Sequence, residues 1–261
     1  MSDLNEMAII EALHNTSFGS RVLYSERTSS TMDQARKLAI EGCEEGTVVI
    51  AEEQYFGRGR FNREWISPPG LNLYFTVILR PAIKWLPQLS MMAALSIVNA
   101  VTEVTLYSVH PTVKWPNDVR LGGKKLAGIL IENKIDGDKV DFCLIGIGIN
   151  VNLDPGDHDA IANIATSIRN EVGHSVSRLE TMRLVIEQME KIYVSIKKGA
   201  SVVEEWRSLI DTIGKRVTIV SLSEKIHGYA LGVDEEGNLL IRTDNGPVTA
   251  FSGGEVTMQM D

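Results

Sequence analysis

The chain has 261 residues, with 26 Lys and Arg against 34 Asp and Glu, a formal charge of −8. That length suits one large domain, or a large one with a small appendage, and supplies ample material for a core. A hydrophobic fraction of 44% beside 23% charged residues excludes a disordered or collagen-like chain, and the acidic balance argues against sequence-independent nucleic-acid binding.

In chain order, Leu4–His14 has the spacing of a short helix and Arg21–Ser25 that of a strand. Ser30 followed by Asp33 predicts a capping box, opening a helix with Ala35, Leu38, Ala39 and Gly42 on its packed face. Thr47–Glu53 is a β-branched strand, and Leu71–Arg80 alternates until Pro81 stops it. Pro87 opens a nearly all-apolar helix over Leu89–Val104. Ser90, Ser96, Asn99 and Thr102 interrupt it, and it falls short of the roughly 20 apolar residues of a membrane span. Short strands at Thr112–Trp115 and Val119–Leu121 precede longer ones at Leu126–Lys134 and Val140–Asn150, with Gly122-Gly123 and Asp136-Gly137 as turns. A helical period runs from Arg178 to Lys197, capped by Ser177 and stopped by Gly199, and a second helix covers Val202–Leu209.

Beyond Gly214 the texture changes to short strands at Arg216–Leu222, Ile226–Val233, Leu239–Thr243, Val248–Phe251 and Glu255–Met258. The expected fold is α+β: a mixed β-sheet with flanking helices over 1–212, then a small barrel-like β domain over 213–261. Cys43 and Cys143 form no CxxC pattern, which suits a reducing, intracellular setting. The five histidines show no metal-ligand spacing, so no metal site is expected. Early acids and the lack of an Arg-rich or apolar leader argue against a targeting peptide. A soluble cytoplasmic protein without a membrane role is the expectation.

Three segments carry chemistry. Gln54–Trp65 holds Arg58, Arg60 and Arg63 against one acid, with Gly57 and Gly59 flanking Arg58. Guanidinium forks match phosphate and carboxylate geometry, so this reads as a mobile anion clamp whose arginines repel one another, or else as a solvated basic loop. Lys114-Trp115-Pro116-Asn117-Asp118 joins a cation and an aromatic to residues that a plain hairpin turn would also use. In the third, Lys125 enters a strand whose Ala127 and Gly128 leave room for a flat group, unless they merely pack. Neither Gly57-x-Gly59 nor Gly146-x-Gly148 completes a Rossmann fingerprint, the latter marking a closely packed strand, and no P-loop occurs.

Taken together, Gly57–Arg60 with Arg63 and Trp65, Lys114–Asp118, Lys125–Leu130 and Gly146–Asn150 resemble the biotin protein ligases in order and spacing. Ser29–Thr31, Ser67-Pro68 near Leu71–Tyr74, and Ser252–Val256 extend the likeness over nearly the whole chain. The resemblance implies a biotin–[acetyl-CoA-carboxylase] ligase with an SH3-like C-terminal barrel. Such an enzyme uses ATP and biotin as substrates, with Mg²⁺ carried on ATP, and a biotin carboxyl carrier protein as acceptor. It also implies a homodimer.

By the same resemblance, Ser30, Thr31, Met32, Gln54, Gly59 and Gly128 surround biotin, with Ser30, Thr31 and Gln54 bonding its ureido ring. Arg58, Arg60 and Lys125 are the implied catalytic residues. The two arginines belong to the loop that would close over biotin and the adenylate phosphate, and Lys125 would hold the carboxylate and the α-phosphate as they react. Arg63, Trp65, Lys114 and Asn117 would complete the nucleotide side. The chain departs from the family at Met32, where Asn is common, at Asn62, where Gly is frequent, and in the extra glycine of Gly253-Gly254. A lipoate-type ligase and a non-catalytic biotin or nucleotide sensor are the alternatives.

About twenty residues precede the first predicted core strand, too few for the three-helix DNA-binding module that some relatives carry. Duplex DNA binding is therefore expected to be undetectable at physiological salt. A sequence-specific gel shift that biotin strengthens would refute this.

Overall fold

Seven strands build the principal sheet in the computed structural model, which describes residues 4–221, 224–244 and 246–258. Asn5 caps α1 (Glu6–Ala12) by accepting from the Ala8 amide at 2.9 Å. β1 (Val22–Thr28) leads through α2 (Thr31–Ile40) to β2 (Val48–Gln54), which pairs with β1 in parallel. β3 (Leu73–Leu79) follows, then α3 (Leu86–Val104), the hairpin of β4 (Thr112–Lys114) with β5 (Asp118–Leu121), and the longer hairpin of β6 (Lys124–Asp136) with β7 (Lys139–Ile149). The spatial order is β1-β2-β3-β7-β6-β5-β4. One parallel crossover followed by antiparallel ladders makes this the expected mixed sheet.

α4 (Ile168–Val172), α5 (Arg178–Lys197) and α6 (Val203–Ser208) complete the helices. Ser177 caps α5 and Gly199 ends it at φ +96°, both as the spacing predicts. Five antiparallel strands then form a second sheet: β8 (Arg216–Ser221), β9 (Glu224–Val233), β10 (Leu239–Thr243), β11 (Val248–Phe251) and β12 (Glu255–Met258), in the order β11-β10-β9-β8-β12. No ladder joins β11 to β12 among the described residues, so this small domain is an open sheet there. The predicted strand end at Leu222 lies outside the described residues.

Three local expectations are corrected. Ser30 does cap α2, accepting from the Met32 amide at 3.3 Å, but Asp33 does not close a capping box. Its carboxylate instead accepts from Arg58 at 2.7 Å, a charge-assisted bond stronger than one to a backbone amide. Gly42 is not on the packed face of α2; it lies beyond the helix at φ +84°, the left-handed conformation that ends helices. Finally, the helical stretch around α3 runs over Ile83–Val104, long and apolar enough by composition to cross a membrane. Within this protein it is a core helix, mostly buried against α5 and the sheet.

Both cysteines are buried, and burial pushes the Cys143 thiol up to about 12. Arg80 donates to the Ala39 and Cys43 carbonyls at the end of α2, placing a cation where the helix dipole is negative. The packing centre lies on β3, where Phe75 is fully buried between Ile50 of β2 and Ile147 of β7. Phe75→Ala is expected to cost about 3–5 kcal/mol, read as a lowered urea midpoint at unchanged m-value.

Candidate active site

All thirteen residues singled out in the sequence line one cavity of about 600 Å³, between α2, the sheet face, the 54–65 loop and β12. At one end the polar groups form a chain. Gln54 Oε1 accepts from the Thr31 amide at 2.9 Å and from the Thr31 hydroxyl at 3.2 Å. The Thr76 hydroxyl donates to Thr31 Oγ1 at 2.9 Å, and Gln54 Nε2 donates to Ser67 Oγ at 3.1 Å. Ser30 and Thr31 are buried at the start of α2, so their hydroxyls are fixed by the helix cap and by this chain.

The floor is bare backbone. Gly128 of β6 and Gly148 of β7 are cross-strand partners, and Gly146 faces Leu130 one step along. A Cβ at Gly148 would lie 2.5 Å from the Trp65 indole, one at Gly128 3.0 Å from it, and one at Gly146 2.6 Å from Met32 Sδ. The flat group over Gly128 is thus the chain's own Trp65, whose Nε1 is buried without a hydrogen-bond partner among the described residues. Ala127 does not share that face. Successive strand residues point to opposite sides, and Ala127 belongs to the core.

Each cation has a distinct setting. Lys125 Nζ lies 2.8 Å from Asp118 Oδ1 and 5.3 Å above the Trp65 ring. Arg58 pairs with Asp33 at 2.7 Å and approaches Glu132 at 3.8 Å. Arg63 donates to both oxygens of Glu255 at 2.6 Å, which ties the loop to the C-terminal domain. Arg60 bonds a neutral partner, Asn117 Oδ1 at 3.1 Å, and Asn117 is itself held by the Ile129 carbonyl. Among the described residues no carboxylate lies within ion-pair distance of Arg60 or Lys114. Burial draws both below their ordinary values, while the hydrogen bond to Asp33 raises Arg58. The expected mutual repulsion of the loop arginines is therefore offset at Arg58 and Arg63, each by its own carboxylate.

The loop itself is a tight hairpin. Trp65 donates its amide to the Gly57 carbonyl at 2.9 Å, and Gly59 donates to the Arg63 carbonyl at 2.8 Å. Phe61 and Asn62 turn it with φ of +56° and +55°. Asn tolerates that left-handed conformation better than most residues, which suits it to this place in the turn. Lys114–Asp118 is both things that its composition suggested: the turn between β4 and β5, and one wall of the cavity.

Sequence reasoning missed four contributors. Asp118 and Glu255 sit inside quoted motifs, and their signal was the proximity of a lone acid to required cations. Asp33 was assigned to a cap. The Ile161–Ala165 segment had no signal; it reaches the site because Lys125 donates its amide to the Ile164 carbonyl at 2.9 Å.

Comparison with known proteins fits this geometry. Residues 24–150 match the Biotin/lipoate A/B protein ligase family, and residues 212–258 match the Biotin protein ligase C terminal domain. The chain is 36% identical over 254 residues to the bifunctional ligase/repressor BirA of Bacillus subtilis, covering 95% of this chain and 78% of that one. It is 34% identical over 223 residues to the biotin–[acetyl-CoA-carboxylase] ligase of Paracoccus denitrificans, covering 83% and 92%. A solved structure of biotin protein ligase from Aquifex aeolicus in complex with biotin and ATP superimposes with a TM-score of 0.79 at 29% identity, covering 93% and 100%. Likeness on this scale, over both the cavity-bearing sheet and the small C-terminal domain, makes the chain a member of the biotin protein ligase family.

Proposed function

We propose that this protein is a biotin–[acetyl-CoA-carboxylase] ligase. It activates biotin with ATP and passes it to a lysine of a biotin carboxyl carrier protein. The observation that carries the reading is the convergence of four separate sequence segments on one cavity, with neutral hydrogen-bonding groups at one end and cations at the other. The catalytic unit spans 1–212 and the appended domain 213–261, which closes one side of the cavity through Glu255.

The arrangement suits the chemistry. Ser30, Thr31 and Gln54 offer fixed donors and acceptors to a neutral cyclic urea, with Met32, Gly59 and Gly128 enclosing the ring. A carboxylate oxygen then attacks the α-phosphorus of ATP, pyrophosphate leaves, and a mixed anhydride with AMP results. Two anions must meet in that step, so fixed cations lower its barrier by more than water could. Among the described residues no carboxylate ion-pairs with Arg60 or Lys114, and Lys125, paired with Asp118, completes the set of cations. Arg63, Trp65 and Asn117 complete the nucleotide side. Magnesium enters with ATP as part of the substrate; the described residues include no group of three or more His, Cys, Asp or Glu that could cage an ion. In the second step the acceptor amine attacks the anhydride carbonyl, AMP departs, and the amine loses a proton. The closed loop keeps water from competing.

Biotin-dependent exchange of pyrophosphate into ATP tests the reading. Exchange driven by lipoate and not biotin would favour the lipoate-type alternative, and no exchange would favour a sensor. Lys125→Ala is expected to lose about 2–4 kcal/mol of transition-state stabilisation and to slow adenylation about 10²–10³-fold. Biotin affinity should change less. Near-normal exchange in that variant would remove Lys125 from the mechanism.

A further inference from the structure

Arg58 and Arg60 stand one glycine apart, yet their charges are met in different ways. Arg60 bonds the neutral Asn117, while Arg58 pairs with Asp33, in the first turn of α2. Glu132 of β6 lies 3.8 Å from Arg58 and also pairs with Arg36 of α2. Two guanidinium groups thus face two carboxylates, and this cluster has no net positive charge to offer an anion. Its position matters more than its charge. Asp33 lies three residues after Ser30, in the helix turn whose start builds the polar end of the cavity.

Arg58 is fixed from the other side by its neighbours. A Cβ at Gly57 would lie 2.5 Å from the Trp65 carbonyl and 2.6 Å from Ser67 Oγ, so that backbone has no slack. A bridge between Arg58 and Glu64 closes the hairpin that places Trp65 over Gly128 and Gly148. From this geometry, and resting on the function proposed above, we infer that Asp33 and Glu132 are positioning residues. They hold Arg58 as a strap between α2 and the loop, so that Arg58 keeps the cavity shut while Arg60 meets the developing charge. Loosening the strap on its acidic side, at Asp33 or Glu132, speeds escape of the bound molecule and leaves the phosphoryl chemistry intact.

The test is a double-mutant cycle on the full chain with Asp33→Asn, Arg58→Gln and both together. It reads biotinyl-AMP release, KM for biotin and kcat of exchange. Asp33 is solvent-accessible and Asn is close in shape, so folding is preserved; Asp33→Glu restores the charge. Asp33→Asn is expected to release biotinyl-AMP about two- to fivefold faster, the upper range for a partly exposed charged pair. KM should rise by a similar factor and kcat should stay within about twofold. Asp33→Glu should return release to within about twofold of wild type, and Asp33→Asn should add nothing once Arg58 is Gln. Glu132→Gln should act in the same direction. Unchanged release in Asp33→Asn, effects that multiply in the double variant, or a fall in kcat at constant KM would overturn the strap while wild-type exchange stays biotin-dependent. Loss of that dependence in the wild-type protein would overturn the function and the strap together.

Discussion

Three missing side chains on two neighbouring strands are the constraint from which the rest of the site follows. Gly128 and Gly148 face each other across the β6–β7 ladder, with Gly146 one step away on the same face. In the middle of a sheet, glycine forgoes packing and loses more conformational entropy than other residues, so bare backbone there is justified by what lies against it. Here Trp65 and Met32 occupy that surface, at distances no Cβ would allow. On the opposite face the side chains of Ala127, Ile129, Ile147 and Ile149 are buried in the core. One ladder therefore serves as core on one side and cavity floor on the other.

The second organising feature is selective neutralisation of charge. Half-buried cations that face only one another would repel strongly and destabilise the loop that carries them. The fold answers by giving Arg58, Arg63 and Lys125 each a carboxylate, drawn from α2, β12 and β5 respectively. Arg60 and Lys114 have no carboxylate within ion-pair distance among the described residues, and burial weighs against their charged forms although Asp118 and Glu255 favour them from farther off. The pairing lowers the repulsion among the cations that line the cavity. Since Arg63 finds its acid in the second sheet, the C-terminal domain is part of this balance and not a separate appendage.

Much of this was legible in the sequence. The period of α5 is local, set by side chains on one helix face and by Ser177 and Gly199 at its ends, and it survives into the structure residue for residue. The β-branched and alternating strands, the turn at Lys114–Asp118, and the change of texture beyond Gly214 were equally readable, because each depends on neighbours a few positions away. The residues of the four motifs line one cavity, although they lie far apart along the chain.

Tertiary structure decided which partner each polar group chose. Asp33 had a plausible local role as a capping residue, but Arg58, 25 positions later, offered a full charge in place of an amide dipole. Trp65 took the surface over Gly128, and Glu255 crossed 192 positions of chain to Arg63. The apolar stretch around α3 shows the same division. Its composition alone suffices for a membrane span, and only its packing against α5 and the sheet makes it a core helix. Local sequence sets backbone conformation through short-range sterics and hydrogen bonding, whereas charge pairing and burial depend on what the fold brings within a few ångströms.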